Sequence, residues 1–517
     1  MQFLKKHNSL VSIILPILSA ILLAIAWNQY IPALSLFIAF IPMLFLFENK
    51  HLSNDFIFKI SFLAFLVFHI GNVWWLYKSS IPGFLIIIVL NSFFMACVML
   101  MSFISYKKFG RNVGLFLFVI YWISFEYIHY HWEFSWPFMN LGNWLGQIPI
   151  QIQWYEYTGV LGGTLLILII NILIYFSIKH IFEKKIKDLI LTSVILFCLI
   201  TVTLLFSDKL YQKNIGNNLK LKIKLIQPNI DPYTKKYNTK LFNEQITNQI
   251  VLASIDTSKT ECCIFPESSF PSFVNEQRLE SDSVLKLIKN KLLLKNGAIL
   301  GGLYSFSLIN GDTLYYNSAF MLSNNIQLYH KSKLVIGVEK MPFQSIFNFL
   351  EDWNLNFGGF TSSLNTDNDR KVFSSPDTTW QIAPVICYES IYGQFVSEFI
   401  RNGAGSIAVI TNDAWWGKTP GYLQHLMHSQ LRAIETRKFV SRSANTGLTC
   451  IINTKGIITS QSEEFKTNYL VGNIYQNNLN TFYTKNGDYI GEIAVFFSAL
   501  VFIYQLIIFL KNKLIKL

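Results

Sequence analysis

Long apolar runs fill the first two hundred residues and return once near the end, with a very different texture between them. A helix of about 20 apolar residues spans the hydrocarbon core of a bilayer. Seven runs approach that length before residue 210, at 9–27, 32–48, 56–75, 82–103, 113–129, 158–178 and 188–206, and an eighth lies at 491–510. No small-residue cleavage site follows the first run and another run comes at once, so it is expected to stay as an anchor and not to be removed as a signal.

At Leu219 the period changes. Leu219, Leu221, Ile223 and Leu225 alternate with Lys220, Lys222 and Lys224, the mark of a half-buried strand. Strand-like runs recur at 262–265, 298–304, 316–322, 381–386, 406–411 and 448–453, and helix-compatible stretches lie at 239–256, 281–295, 391–402 and 421–440. Such alternation predicts a layered α/β domain and not a β sandwich. The expected organisation is a membrane domain of seven helices over 1–207, an α/β domain over 208–488, and an eighth transmembrane helix with a tail over 489–517.

Composition agrees: with 52% hydrophobic and only 14% charged residues, the chain is too apolar to be wholly soluble. A net charge of +12 would raise nucleic acid as a partner, but the cations gather in short loops beside apolar runs, which is topology signal. Lys5, Lys6, Lys50, Lys107, Lys108, Arg111, Lys179, Lys184, Lys185, Lys187, Lys511, Lys513 and Lys516 fall on alternate sides of the expected spans, and 28–32 and 126–157 carry no Lys or Arg. Both termini are therefore expected in the cytoplasm and 208–488 on the far side. Glu126, at the edge of a Trp-rich loop, suggests either an interfacial aromatic belt or a vestibule for a lipid substrate.

Six cysteines show no metal or disulfide spacing, and Cys97 and Cys198 read as packing residues within apolar runs. His425 and His428 lie three apart on an expected helix without a visible third ligand, so no metal and no cofactor are expected. Three other stretches bring reactive groups to strand ends. Cys262-Cys-Ile-Phe-Pro-Glu267 delivers a carboxylate, Tyr329-His-Lys331 an ammonium, and Gln381-Ile-Ala-Pro-Val-Ile-Cys387 a thiol ahead of a helix-compatible run. A carboxylate can take a thiol proton and an ammonium can hold a tetrahedral oxyanion. Asn412 and Asp413 read as turn chemistry, with Trp415 and Trp416 as a lid over the site.

F-P-E, Y-x-K-x-x-L and C-Y-E in this order resemble the nitrilase superfamily. With the membrane runs added, the chain resembles the bacterial apolipoprotein N-acyltransferase family, whose motifs are matched by Thr411-Asn-Asp-Ala-Trp-Trp-Gly417, Arg432-Ala-Ile-Glu-Thr-Arg437, Arg442-Ser-Ala-Asn-Thr-Gly447 and Thr481-Phe-Tyr-Thr-Lys-Asn-Gly487. The resemblance implies a four-layer αββα sandwich carried by a polytopic α-helical membrane protein with eight transmembrane helices, in the bacterial inner membrane with the catalytic domain on the periplasmic side. It implies Glu267 as general base, Lys331 as oxyanion stabiliser and Cys387 as nucleophile, supported by Glu339, Tyr388 and Glu389. Tyr237 stands near where the family often places a tryptophan, and is a candidate lipid contact with Trp415 and Trp416. The implied partners are a phospholipid acyl donor, a diacylated apolipoprotein acceptor and the bilayer; a monomer is expected. After Lys331 the chain reads Leu334-Val-Ile-Gly-Val-Glu339 where the family usually reads L-V-P-F-G-E, which displaces a Pro and a Gly. Two other readings remain open: a membrane-tethered amidase using water as acceptor, and a transport or lipid-binding scaffold with an inert outer domain. The spans lack paired charges and matching broken helices, which weighs against the scaffold.

Overall fold

The computed structural model describes residues 9–26, 33–216, 219–255, 258–292, 297–340 and 364–514. Lys5, Lys6, the 28–32 loop and Lys516 lie outside them. The chain forms two compact units, one of 1–77, 81–210 and 488–517 and one of 78–80 and 211–487.

The first unit is helical: α1 (Ser9–Ala26), α2 (Ile41–Leu46), α3 (Asn54–Val73), α4 (Ile81–Phe109), α5 (Arg111–His131), α6 (Tyr155–Glu183), α7 (Ile186–Gln212) and, from the far end of the chain, the helix Tyr489–Leu514. Among the described residues, six helices are long and apolar enough to cross a membrane, and Leu10–Ala26 and Ala33–Leu46 are shorter. The run expected as a second span is not one helix but a 3-10 turn, Ala33–Phe37, followed by α2. Six residues of α-helix rise roughly 9 Å, far less than a bilayer. The break is tolerated because Asn171 of α6 serves it: its Nδ2 donates to Leu36 O (2.7 Å) and its Oδ1 accepts from Phe40 N (2.8 Å). The most apolar stretch of α7 is unburied and Cys198 is exposed there, so that cysteine is not a packing residue.

The 126–157 segment is neither a surface belt nor an open loop. It folds into the end of α5, the 3-10 turns Pro137–Met139, Leu141–Gln147 and Pro149–Ile152, and the start of α6, with Trp136 and Trp144 buried. Glu126 is buried as well. Its Oε1 accepts from Trp122 Nε1 (3.0 Å) and Leu141 N (2.8 Å), and its Oε2 from Thr164 Oγ1 (2.6 Å).

The second unit holds two sheets. The first contains β1 (Leu219–Gln227), β2 (Cys262–Ile264), β3 (Phe270–Asn275), β4 (Ile299–Ile309), β5 (Asp312–Leu322), β6 (Ile326–His330) and β13 (Asn468–Gln476), in the order β13-β1-β2-β4-β5-β6 with β3 beside β4. The second contains β7 (Phe373–Ser374), β8 (Gln381–Ile386), β9 (Ser406–Thr411), β10 (Val440–Ala444), β11 (Cys450–Ile452) and β12 (Ile458–Gln461), ordered β12-β11-β10-β9-β8-β7. Neighbours β1, β2 and β4 run parallel, as do β8, β9 and β10. The central strands face each other: Ser443 Oγ of β10 lies 2.9 Å from Ile226 O and 3.1 Å from Ile264 O.

Helices cover the sheets for a reason visible in their apolar spacing. Ile246 and Ile250 of α8 (Phe242–Ser254) and Leu285 and Ile288 of α9 (Ser283–Leu292) pack with Cys263, Phe265, Ile299 and Leu303 of the first sheet side. Phe395, Val396, Phe399 and Ile400 are the buried apolar positions of α10 (Gly393–Arg401), which packs on β8. Next come α11 (Pro420–Thr436) and the short α12 (Phe482–Asn486), so that Tyr489–Leu514 is α13. The expected helix over 421–440 ends at Thr436, because Arg437 turns left-handed (φ 54°) and the polar run Val440–Ala444 continues as the buried strand β10.

Candidate active site

The parallel strands β2, β8 and β9 end on the same side of the two sheets, and each hands over a reactive group just past its last residue. After β2 comes Glu267, after β8 Cys387, and at the end of β9 Thr411 and Asp413. Lys331 follows β6, held by its main-chain N–H on Asn317 O of β5 (2.8 Å).

Lys331 is the hub. Its buried Nζ donates to Glu267 Oε1 (2.9 Å) and to Glu339, at 3.0 Å from Oε1 and 2.9 Å from Oε2. Asn317 Nδ2 links the same two carboxylates, 2.9 Å from Glu267 Oε1 and 2.8 Å from Glu339 Oε1. Burial would raise the Glu267 carboxyl, but the Lys331 ammonium, with Lys236 and Asn317, outweighs it and holds the pKa below the usual range. Burial likewise works against the Lys331 charge, and Glu267 and Glu339 reverse it, lifting its pKa well above normal. Both hydrogen bonds to Glu267 fall on Oε1, and among the described residues none falls on Oε2. The displaced loop still brings Glu339 to Lys331: Gly337 takes φ 75°, Glu339 N bonds to Val335 O (2.8 Å), and Glu339 Oε2 accepts from Val335 N (2.8 Å).

Cys387 adopts φ 49°, a left-handed conformation unusual for a residue with a side chain. Such strain costs roughly 1–3 kcal/mol and persists where surrounding bonds over-determine it. Those bonds are present. Glu389 Oε2 accepts from Ile386 N (2.8 Å), while its Oε1 accepts from Tyr329 OH (2.6 Å) and Ser332 N (2.7 Å), tying the cysteine turn to the lysine loop. Burial pushes Glu389 up to about 7 against the pull of those donors. On the other side, His425 Nε2 lies 3.2 Å from Cys387 O and 3.1 Å from Ser390 Oγ. Thr411 Oγ1 is 3.3 Å from Cys387 Sγ. Burial and then the Glu267 charge push the Cys387 thiol far up, with Lys331 opposing.

Each residue singled out in the sequence has a place here. Glu267, Lys331 and Glu339 touch, and the charges of Glu267 and Lys331 reach Cys387. Tyr388 is buried against Tyr392 (5.5 Å between ring centroids). Tyr237 stacks on Trp415 (6.1 Å, 20° between planes) and its OH lies 3.2 Å from Tyr304 OH, so these two candidate contacts form one aromatic wall. Trp416 instead packs edge-on against His425 (5.6 Å).

Sequence reasoning missed several neighbours. Asp413 is not a simple turn residue: Oδ2 accepts from Arg442 Nη2 (2.7 Å), Oδ1 lies 2.9 Å from His425 Nδ1, and all three are buried. His425 thereby braces the cysteine turn, and His428 is buried on the same helix. Asn317 and Lys236 also escaped notice. An Asn within an apolar strand is the signal that was available for the first, and the adjacency to Tyr237 for the second.

Residues 222–482 match the carbon-nitrogen hydrolase family model, and 19–173 match the apolipoprotein N-acyltransferase N-terminal domain. A protein of Chlorobaculum tepidum named apolipoprotein N-acyltransferase is 25% identical, with 93% of this chain and 94% of that one covered. Proteins of the same name from Geobacter metallireducens (25% identical, 94% of each chain) and Wigglesworthia glossinidia brevipalpis (26%, 89% of this chain and 90% of that one) are similar along nearly their full lengths. The chain thus belongs to the carbon-nitrogen hydrolase family, with its hydrolase domain joined to the apolipoprotein N-acyltransferase N-terminal domain of a bacterial membrane protein.

Proposed function

We propose that this chain is an N-acyltransferase that moves a fatty acyl chain from a membrane phospholipid, through a thioester on Cys387, to the α-amino group of the N-terminal S-diacylglyceryl-cysteine of bacterial lipoproteins. The observation that carries the reading is Lys331 clamped between Glu267 and Glu339 with the strained Cys387 within reach of the Glu267 and Lys331 charges, in a chain whose described residues also include six helices of membrane-spanning length. The names of the full-length relatives support the substrates.

Glu267, whose Oε2 accepts no hydrogen bond among the described residues, takes the thiol proton as Cys387 Sγ attacks the ester carbonyl carbon. Lys331 stabilises the oxyanion, which collapses as the C–O bond breaks, and Glu267 passes its proton to the departing lysophospholipid oxygen. The acceptor amine then attacks the thioester and gives a proton to Glu267. The C–S bond breaks, the amide is released, and that proton returns to the sulfur. Glu339 positions Lys331, Glu389 and Tyr388 hold the turn of Cys387, and Tyr237, Trp415 and Trp416 contact lipid. The same reading assigns a four-layer αββα sandwich, eight membrane segments of which the second is the broken run at 32–48 and not a single helix, domains at 1–207, 208–488 and 489–517, cytoplasmic termini, a periplasmic catalytic domain and a monomer.

The test combines detergent-solubilised protein, phospholipid and a diacylated lipopeptide, and follows the peptide mass. Gain of one acyl chain, absent with Cys387→Ala, is the expected result. Release of free fatty acid with no peptide gain would replace the transferase with a tethered hydrolase.

A further inference from the structure

Lys236 is a buried charge beside the site that the steps above do not use. It lies on the segment between β1 and α8, where Asp231 fastens a turn. Asp231 Oδ1 accepts from Tyr233 N (2.7 Å) and Thr234 N (3.0 Å), and its main-chain O accepts from Lys235 N (3.2 Å) and Lys236 N (2.9 Å). The residue is 4% exposed, and its Nζ donates to the main-chain O of Glu267 (3.2 Å). An ammonium carries three N–H donors. One is used there, and among the described residues no carboxylate pairs with it directly; Glu267 gives its Oε1 to Lys331 and Asn317. A buried cation without its own carboxylate is costly, and this one feels the charges of both Glu267 and Cys387.

The charge balance indicates why it is there. At rest the carboxylates of Glu267 and Glu339 match the ammoniums of Lys331 and Lys236, and the thiol is neutral. When the thiol proton moves to Glu267, the negative charge moves to Sγ. Both lysines feel Glu267 and Cys387, but Lys331 gives its donors to the two glutamates, whereas among the described residues Lys236 Nζ donates only to the main-chain O of Glu267. We infer that Lys236 serves beside Lys331 as a second counter-cation of the Cys387 thiolate, helping to keep the charge paired as it passes from Glu267 to sulfur and on to the acyl oxygen. This deepens the acyl-transfer reading and rests on it for the oxyanion alone; the thiolate part holds for any thiol chemistry at Cys387.

The groups facing Lys236 are Glu267, Cys387 and Lys331, with Tyr237 and Tyr304 beside Glu267. Burial lowers Lys236 to about 8, against the pull of Glu267 and Cys387 and with the push of Lys331. Burial raises both tyrosines, Tyr304 to about 12, so neither titrates with it. Lys236 is therefore charged below about pH 8 and loses its charge above, whereas an arginine stays charged throughout.

The test uses the full chain in detergent with Lys236→Met and Lys236→Arg. Iodoacetamide labelling of the Cys387 peptide, read by mass, reports the thiolate without any lipid substrate. Thioester formation from phospholipid with no acceptor reports acylation without an amine to titrate. At pH 7, Lys236→Met should label about tenfold more slowly, as a shift of about one pKa unit implies, and Lys236→Arg should label like the wild type. Wild-type thioester formation should fall as pH rises through about 8, and Lys236→Arg should move that fall upward. Unchanged labelling in Lys236→Met would overturn the inference, as would equal loss in both variants, which would mean that side-chain shape matters and charge does not. Normal labelling with no thioester in the wild type would instead sink the lipid reading and leave the thiolate role standing.

Discussion

Each unit buries a carboxylate, and the two are held in opposite ways. Glu126 in the helical unit meets an indole N–H, a main-chain N–H and a hydroxyl, all neutral. Glu267 in the sheet unit meets the Lys331 ammonium and an amide, both on Oε1. Neutral donors fix a side chain in place, whereas a shared ammonium keeps it ionised, because the partner charge is itself buried. A buried acid is thus held by neutral bonds or by an ion pair according to its donors, and the sequence does not display them.

The sharpest way to break this contrast is Lys331→Met. It strands Glu267 and Glu339 together without their cation, and breaking a buried pair costs about 3–5 kcal/mol. A large drop in melting temperature is expected, with thioester formation reduced by at least about 10²-fold through loss of the oxyanion partner. Intact-mass detection of the acyl-enzyme checks the second effect. Wild-type levels of thioester would remove Lys331 from the chemistry.

Position is tested next by Gly302→Ala. A Cβ on Gly302 of β4 would lie 2.5 Å from Ser268 N and 2.8 Å from Glu267 Cα, so the turn carrying the base must shift. Overpacking costs about 1–3 kcal/mol, and a 1 Å misplacement is worth about 10²-fold in rate. Single-turnover acylation beside thermal unfolding separates the two. Acylation at full rate would mean that the Glu267 turn adapts.

Two acids of the same unit give the contrast a pH signature. Glu389, raised to about 7, contributes stability that is complete below its unfolded value near 4.5 and lost as pH rises through about 7. Glu267 is depressed, so its contribution is present above about 4.5 and lost as pH falls through its lowered folded value. Glu389→Gln should therefore flatten the loss of stability on the way to neutral pH and leave the acid side unchanged, in melting temperatures taken across the range. An unchanged profile would show that Glu389 does not titrate there.

The smallest effect is expected for Glu126→Gln. The amide oxygen still accepts from Trp122 and Leu141, and its NH2 meets the Thr164 hydroxyl, so the cost should stay under about 1 kcal/mol and acyl transfer should persist. Loss of acyl transfer with normal unfolding would make Glu126 part of the chemistry and erase the contrast.

Hydrophobic period made much of the fold legible. Strands expected at 381–386 and 406–411 appear with those limits, and apolar runs from 56 onward become long helices. What escaped is informative. β10 reads Val-Ser-Arg-Ser-Ala, polar enough to pass for surface, yet it is fully buried because Arg442 meets Asp413 and Ser443 meets the facing sheet. The apolar run at 32–48 looks like a span, and its break depends on Asn171, far away in sequence.

At the site, the sequence by itself determined which groups stand at strand ends, since an apolar strand that stops at Pro266-Glu267 or at Cys387 leaves its next residue at the sheet edge. Tertiary structure alone decided what those groups are. The ionised Glu267, the high-pKa Lys331, the strained Cys387 and the buried Lys236 ammonium all follow from partners brought from distant segments. Apolar periodicity is local and written along the chain, whereas charge state and strain depend on desolvation and pairing, which exist only once the two sheets have closed on each other.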